Sequence, residues 1–370
     1  VRKGGSSNVL YGEPAHNQGV NNTLRDNQLV LANSFRTGIM TDGGKYTMFM
    51  TINYLIKKHI AFALFSLSLV LAFTSGCENR NTVYFEEGTK KVNGAELYYK
   101  IMGSGEPIVI LHGGPGLEHT YFLPQMGELA ENYKLIFYDQ RTSGGSISST
   151  DSSSITLGNF VEDLEGIRKA FDLDKMNLLG HSWGGMLAMF YATKYPENLN
   201  SLMLISSGGA RSDCWNDFIQ NINHNRTTKD SLALANLEAT EELKNNNIAA
   251  LQNYYKIFFK AYFYNQTFGD SLTMKFSKTT AKNMSLIDSK PLGQVLYNYN
   301  ILEQLSVIEC STIIIHGEAD PVPLKYAEEI HNNIDNSELI PLKQCGHFPF
   351  IETPTKFFRL IRDFMENTSN

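Results

Sequence analysis

The stretch LLGHSWGGMLAM, residues 178–189, constrains this chain more than any other. An apolar run breaks at Gly180, a single serine sits between glycines, and apolar residues resume at Met186. Gly180-His181-Ser182-Trp183-Gly184 fits the pattern Gly-x-Ser-x-Gly. That pattern sets a serine on a sharp strand-to-helix turn, its hydroxyl exposed above a sheet, with glycines where side chains would strike neighbouring backbone. The helix that starts there points unpaired N–H groups and the positive end of its dipole at the turn. The pattern alone is common. An apolar strand before it and an apolar helix after it point to Ser182 as a nucleophile.

The rest of the chain supplies the sheet such a turn needs. TVYFEE and AELYYKI read as two opening strands, joined as a hairpin across GTKKVNG. PIVILHG, KLIFYD, KMNLLGHS, LNSLMLISS, STIIIHG and SELIPLK are apolar runs of strand length, as buried parallel strands are. Between them LGNFVEDLEGIRKAF, GGMLAMFYATKYP, PLKYAEEIHNNI and PTKFFRLIRDFMEN carry helical spacing. This alternation predicts an α/β fold, a mostly parallel central sheet with helices on both faces. It breaks between about 209 and 300, where Asn, Tyr, Phe and Lys dominate. That stretch reads as an inserted helical cap over the sheet's carboxyl edge, where ligands of open α/β sheets bind. The core then falls into two parts, 77–208 and 301–370.

A serine nucleophile needs a base, and the base needs an orienting carboxylate, in the chain order Ser, Asp or Glu, His. His347 lies in KQCGHFPF, a loop after the last strand, where a base belongs. His224 falls in the cap, His316 ends a strand, and His331 sits within a helix. Asp320, a few residues past the strand end in IIIHGEADPVP, is preferred as the acid, with Glu318 as the alternative. LHGGPG puts glycines directly after a buried strand, where backbone N–H groups can approach a substrate. Gly114 is the expected oxyanion donor from that loop, and Trp183, the residue after the nucleophile, the other.

Composition narrows the partners. The net charge is −6 and no basic stripe appears, so nucleic acid is not an expected partner. The four cysteines, Cys77, Cys214, Cys310 and Cys345, form no CxxC pair and no zinc-ligand spacing, so no metal is expected. MTINYLIKKHIAFALFSLSLVLAFTSGC, residues 50–77, has a basic start at Lys57 and Lys58, an apolar stretch from Ile60 to Phe73, and small residues before Cys77. This is the layout of a secretory signal, shorter than the ~20 residues of a membrane span. The ending TSGC resembles a bacterial lipoprotein signal, which implies lipidation of Cys77 and an exported, membrane-anchored enzyme. Met50 would then be the initiator, and 1–49 an extension outside the fold. Three cysteines remain, an odd set, so at least one thiol stays free.

Together, HGGPG at 112–116, YDQRTSGGS at 138–146, GHSWGG at 180–185, HGEADPVP and CGHFPF resemble the proline iminopeptidases of the α/β-hydrolase superfamily. The resemblance covers about 83–210 and 305–368 and weakens in the cap. It implies an α/β-hydrolase fold with a Ser182, Asp320 and His347 triad, oxyanion donors at Gly114 and Trp183, and no metal or organic cofactor. It implies release of an N-terminal residue, proline or small and apolar, from short peptides. Such enzymes read the substrate's free amine with carboxylates in or near the cap. Glu238, Glu241 and Glu242 in NLEATEEL are candidates here, and Glu118 after GPGL is another. Asp139 and Arg141 are expected to brace loops. Two positions depart from the family's Asp-Gln-Arg-Gly-x-Gly-Arg-Ser: Thr142 replaces a glycine and Gly145 an arginine. The alternative on the same machinery is an esterase, lactonase or amidase. Its acyl pocket would be the aromatic set Tyr254, Tyr255, Phe258, Phe259, Tyr262 and Phe263. A catalytically silent binding protein is the third reading. Oligomeric state is not legible.

Overall fold

The computed structural model describes residues 84–146, 152–276, 280 and 291–368. The leading segment 1–49, the signal segment 50–76 and Cys77 lie outside the described residues. Eight strands form one sheet: β1 (Phe85–Val92), β2 (Ala95–Met102), β3 (Glu106–Leu111), β4 (Tyr133–Tyr138), β5 (Met176–His181), β6 (Leu199–Ile205), β7 (Ser311–Gly317) and β8 (Ser337–Leu342). Their order is β1-β2-β4-β3-β5-β6-β7-β8. β1 and β2 are antiparallel, and β2 runs antiparallel to β4. The other neighbours pair in parallel.

Alternation along each strand divides the core. Val109, Leu111, Leu178, Leu202, Leu204 and Ile314 face one side. Ile108, Ile110, Leu179, Met203, Ile205, Ile313 and Ile315 face the other. A period of two forces this split, and both faces are apolar because helices cover both. On the first side lie α1 (Leu157–Ala170), through Phe160, Val161, Leu164 and Ile167, and α2 (Trp183–Lys194). Thr156 caps α1, its side chain accepting the Asn159 N–H.

The opening hairpin corrects the sequence reading. The predicted loop GTKKVNG is mostly strand: β1 continues to Val92, and Asn93-Gly94 alone make the turn. Both have positive φ, 45° and 74°. Asn-Gly in a two-residue hairpin turn matches the sheet's twist and outweighs the charged, glycine-containing run before it.

The insert leaves the core after β6 and returns through an isolated bridge, Arg211 to Asn300. It contains α3 (Cys214–Asn225), α4 (Thr228–Glu238), α5 (Glu241–Lys244), α6 (Ile248–Phe258) and α7 (Pro291–Leu296). Thr227, Thr240 and Asn247 cap α4, α5 and α6 with side-chain oxygens. After the insert come α8 (Leu324–His331), α9 (Pro349–Glu352) and α10 (Pro354–Thr368). α10 buries Phe357, Phe358, Ile361 and Met365 against the second face. Among the described residues no helix is long and apolar enough to cross a membrane. Cys214, Cys310 and Cys345 are unpaired thiols.

Candidate active site

Ser182 stands between β5 and α2 at φ 58°, ψ −122°. A non-glycine residue there is strained, and the surrounding structure must hold it. It does so by close packing of backbone. A Cβ on Gly180 would overlap the Gly184 carbonyl, and one on Gly184 would overlap the Leu111 carbonyl. The Ser182 N–H donates to the Ile205 carbonyl at 3.1 Å. The Ser182 carbonyl accepts the Gly185, Met186 and Gly208 N–H groups, at 3.0–3.2 Å.

Asp320 and His347 come together after β7 and β8. His347 Nδ1 lies 2.9 and 3.0 Å from the two Asp320 carboxylate oxygens. Both residues are buried, and the Val322 N–H also donates to Asp320. Burial pushes the Asp320 carboxyl up. His347, His316 and the Val322 N–H outweigh it and hold the group below the ordinary range. Of the other histidines, His316 bonds the Val322 carbonyl, His331 bonds Ser337, and His224 ends α3. Glu318 shows no contact with His347, and its amide is tied to the Leu342 carbonyl.

The loop after β3 carries Gly114 at φ 127°, a conformation that excludes side chains. Among the described residues no acceptor meets the Gly114 or Trp183 amide. Gly113 is different: its N–H donates to the Tyr121 hydroxyl at 2.7 Å. Gly113 is thus committed, while Gly114 and Trp183 are open among the described residues.

Sequence reasoning missed the network behind these groups. Tyr121 Oη lies 2.7 Å from His181 Nδ1, and His181 Nε2 lies 2.8 Å from the His347 carbonyl. The His347 carbonyl can only accept, so His181 Nε2 carries the proton, and the neutral ring's Nδ1 accepts the Tyr121 hydroxyl. One buried relay thus joins the glycine loop, the serine turn and the histidine loop. A second runs through Gln140. Its amide donates to His112 Nε2, its side chain donates to the His112 carbonyl, and its Oε1 accepts from Trp183 Nε1 at 2.6 Å. Burial lowers His112 to about 4. Burial, with His347 adding to it, lowers His181 to about 3. Both rings are neutral at pH 7, as their hydrogen bonds require. No sequence motif marks Tyr121. His181 hides in the variable position of Gly-x-Ser-x-Gly.

Asp139 and Arg141 brace loops. Asp139 accepts from His119 and from the Gly145 N–H, and Arg141 grips Asp163 at 2.6 and 2.7 Å. One of the two departures, Gly145, has a local cause, and nothing in the structure explains the other. Thr142 adopts φ 70°, where glycine is the easy residue. At Gly145, a Cβ would stand 2.8 Å from the Tyr98 ring, which fills the space a longer side chain needs.

The cap glutamates do not enter the site. Glu238 accepts from the exposed Tyr254 hydroxyl, Glu241 pairs with Lys244, and Glu242 is exposed. Glu241 and Glu242 occupy the first turn of α5, where acids favour the positive end of the helix dipole, and Glu238 is the exposed last residue of α4. Glu118 is half-buried, accepts from Thr120 and lies against Gly144. Burial lifts its carboxyl above the usual range. Most of the aromatic set packs on itself as the cap's own core, Tyr255 against Phe259 and Phe258 against Tyr262. Tyr262 and, from α3, Phe218 flank His347 at 5.4 and 6.4 Å between ring centres. A cavity of about 320 Å³ opens against Asp320, lined also by Asn221, Asn225 and Gln266. Among the described residues no cluster of His, Cys, Asp and Glu is placed to hold a metal ion.

With this geometry in hand, comparison with known proteins decides the family. The family described as alpha/beta hydrolase fold matches residues 106–354. The chain belongs to the α/β-hydrolase fold family. This α/β hydrolase is 29% identical over 299 residues to a proline iminopeptidase of Saccharolobus solfataricus, covering 77% of this chain and 94% of that one. It is 29% identical over 288 residues to a proline iminopeptidase of Thermoplasma volcanium, covering 76% and 97%. The resemblance carried by the motifs is borne out. Among solved structures, the meta-cleavage product hydrolase of Pseudomonas fluorescens superposes with a TM-score of 0.60 at 22% identity, covering 76% of this α/β hydrolase and 98% of that chain. That likeness bears on the fold.

Proposed function

We propose that this α/β hydrolase is a serine aminopeptidase that releases an N-terminal proline or small apolar residue from short peptides. The buried His347–Asp320 pair beside a strained serine turn supports serine-hydrolase chemistry, and the 29% identity to proline iminopeptidases over most of the chain supports the peptidase. Asp320 occupies His347 Nδ1, so Nε2 is the nitrogen left to take the Ser182 proton. Ser182 Oγ attacks the substrate carbonyl, and the Gly114 and Trp183 N–H groups receive the oxyanion. His347 then gives its proton to the departing amine, leaving an acyl-enzyme. Water, deprotonated by His347, hydrolyses that ester and restores Ser182. Asp320 stays ionised throughout and offsets the imidazolium charge. No metal or organic cofactor takes part.

A cationic amine held in a partly buried pocket needs a carboxylate. Glu118, beside the glycine loop, is the residue proposed for that contact, since Glu238, Glu241 and Glu242 face solvent. Their position is also what favours the second reading, an esterase, lactonase or amidase acting on a small acyl substrate. The test uses the full chain and its Ser182→Ala variant on prolyl anilide, N-acetylprolyl anilide and a short-chain nitrophenyl ester. Serine-dependent cleavage of the free-amine anilide alone supports the peptidase. Cleavage of the ester alone, or indifference to acetylation, overturns it in favour of the second reading. Lipidation of Cys77 and export to a membrane surface remain part of the proposal. Mass spectrometry of the cell-derived protein tests it, and an unmodified Cys77 contradicts it.

A further inference from the structure

One half-buried carboxylate beside the histidine loop has no part in the mechanism above. Glu352 ends α9, the helical turn that follows His347. One of its oxygens accepts the Gly346 N–H at 2.8 Å, and the other accepts the Tyr264 N–H at 2.9 Å. Gly346 is the residue before the proposed base. Tyr264 belongs to the cap, just past the single turn Phe259–Tyr262. The same two segments meet at three more places. The His347 N–H donates to the Tyr262 carbonyl at 2.8 Å. Phe263 stacks on Phe348 with ring centres 4.8 Å apart. A Cβ on Gly346 would overlap the Tyr262 carbonyl.

We propose that Glu352 is a positioning residue that fastens the cap to the loop carrying His347, so that the base is held in place only while the cap is seated. This rests on the role assigned to His347. The chemistry explains why the residue is a carboxylate. The Gly346 and Tyr264 N–H groups converge on it from separate elements, the Asn265 and Phe348 N–H groups also act on it, and an ionised carboxylate is the side chain with two acceptor oxygens and no donor. Glutamine would turn its own NH₂ toward one of the two N–H groups.

Burial pushes Glu352 up to about 7 against the pull of the backbone N–H groups. Asp320 and Lys356 also reach this corner, where both act with Glu352 on the buried Cys345 thiol, and the cap brings the Tyr262 ring against His347. The protonated acid keeps one bare acceptor, so the clamp is complete above about 7 and weakens below it. Global stability runs the other way. The folded pKa exceeds the ordinary 4.5, so the contribution of Glu352 to stability is full below 4.5 and is lost as pH rises through about 7. A residue that only supports the fold makes activity follow stability. A positioning residue makes activity rise where its own stabilising contribution falls.

The experiment measures kcat, KM and the rate of Ser182 phosphonylation by a fluorophosphonate, for the full chain and Glu352→Gln, from about pH 6 to about 8.5. Thermal midpoints are recorded in parallel. The expected result is a drop of about tenfold or more in kcat and in phosphonylation, largest at high pH, with KM changed less and the midpoint held. Unchanged rates, or a loss that only tracks a lower midpoint, overturn the proposal. Should the variant not fold, hydrogen exchange on the unmodified protein decides. Joint loss of protection at Gly346 and Tyr264 as pH falls through about 7, corrected for intrinsic exchange, supports the clamp, and unchanged protection overturns it. His347→Ala separates the two claims. If it keeps full phosphonylation, the base assignment fails. If it is inactive while Glu352→Gln is normal, the clamp alone fails.

Discussion

The loops at the carboxyl edge of the sheet and the helical insert that covers them are built on different terms. Around Ser182 the buried side chains of Tyr121, His181, Gln140 and His112 each join two segments. α2 buries most of its residues, Trp183 to Met189 without a break. The insert is looser. α4 buries Leu234 alone and α6 buries Leu251 alone, and the acids on α4 and α5 face solvent. Chemistry is thus fixed by a network in which one altered atom leaves a buried group unpaired. The surface residues of the insert's helices change at little cost to the fold.

That contrast can be broken or sharpened by measurement. The largest expected effect is Asp320→Asn, which keeps the shape but removes the charge that orients His347. kcat should fall about 10⁴-fold, read by steady-state kinetics, and a loss of less than tenfold would mean the pair does not act as a unit. Next is acid stability. His112 and His181 are held neutral, with folded values of about 4 and about 3 against the ordinary 6.5. The unfolded chain binds protons first, so stability is full above about 6.5 and is lost as pH falls toward the folded values, on the order of 3 kcal/mol for each ring. Urea midpoints between pH 7 and 4 show the decline, and a flat profile counts against a buried neutral network. Glu118→Gln should raise KM for the free-amine anilide about tenfold, while the combined Glu238→Gln, Glu241→Gln and Glu242→Gln variant should stay within about twofold of the original. A reversal of those two results would move amine recognition into the cap. The smallest effect is Thr142→Gly. Relief of the positive φ should stabilise the chain by up to about 1 kcal/mol after the entropy cost of glycine, seen as a higher thermal midpoint.

The same contrast governs what the sequence discloses. The strands and the helices that pack on them follow from period-two and period-3.6 apolar spacing, because both sheet faces demand it. Ser182, Asp320, His347, Gly114 and Trp183 are legible because each sits where a strand ends, and a strand end is a local pattern. Tyr121 and Glu352 are not, since their partners lie in distant segments and a single tyrosine or glutamate carries no local signal. The opening hairpin is legible but the extent of its turn is not: a charged run with one glycine resembles a loop, while Asn93-Gly94 alone make the turn. The exposure of the cap glutamates is not legible either, because solvated helix acids and amine-binding acids look alike in one dimension. Their distinction is the direction they face.

The most direct test of the account is active-site labelling. The full chain is treated with a fluorophosphonate and digested, and the modified peptide is located by mass spectrometry. The account predicts one adduct per chain, on Ser182, abolished in Ser182→Ala and strongly slowed in His347→Ala. An unlabelled protein, or an adduct on the neighbouring Ser206 or Ser207 with Ser182 untouched, would contradict it.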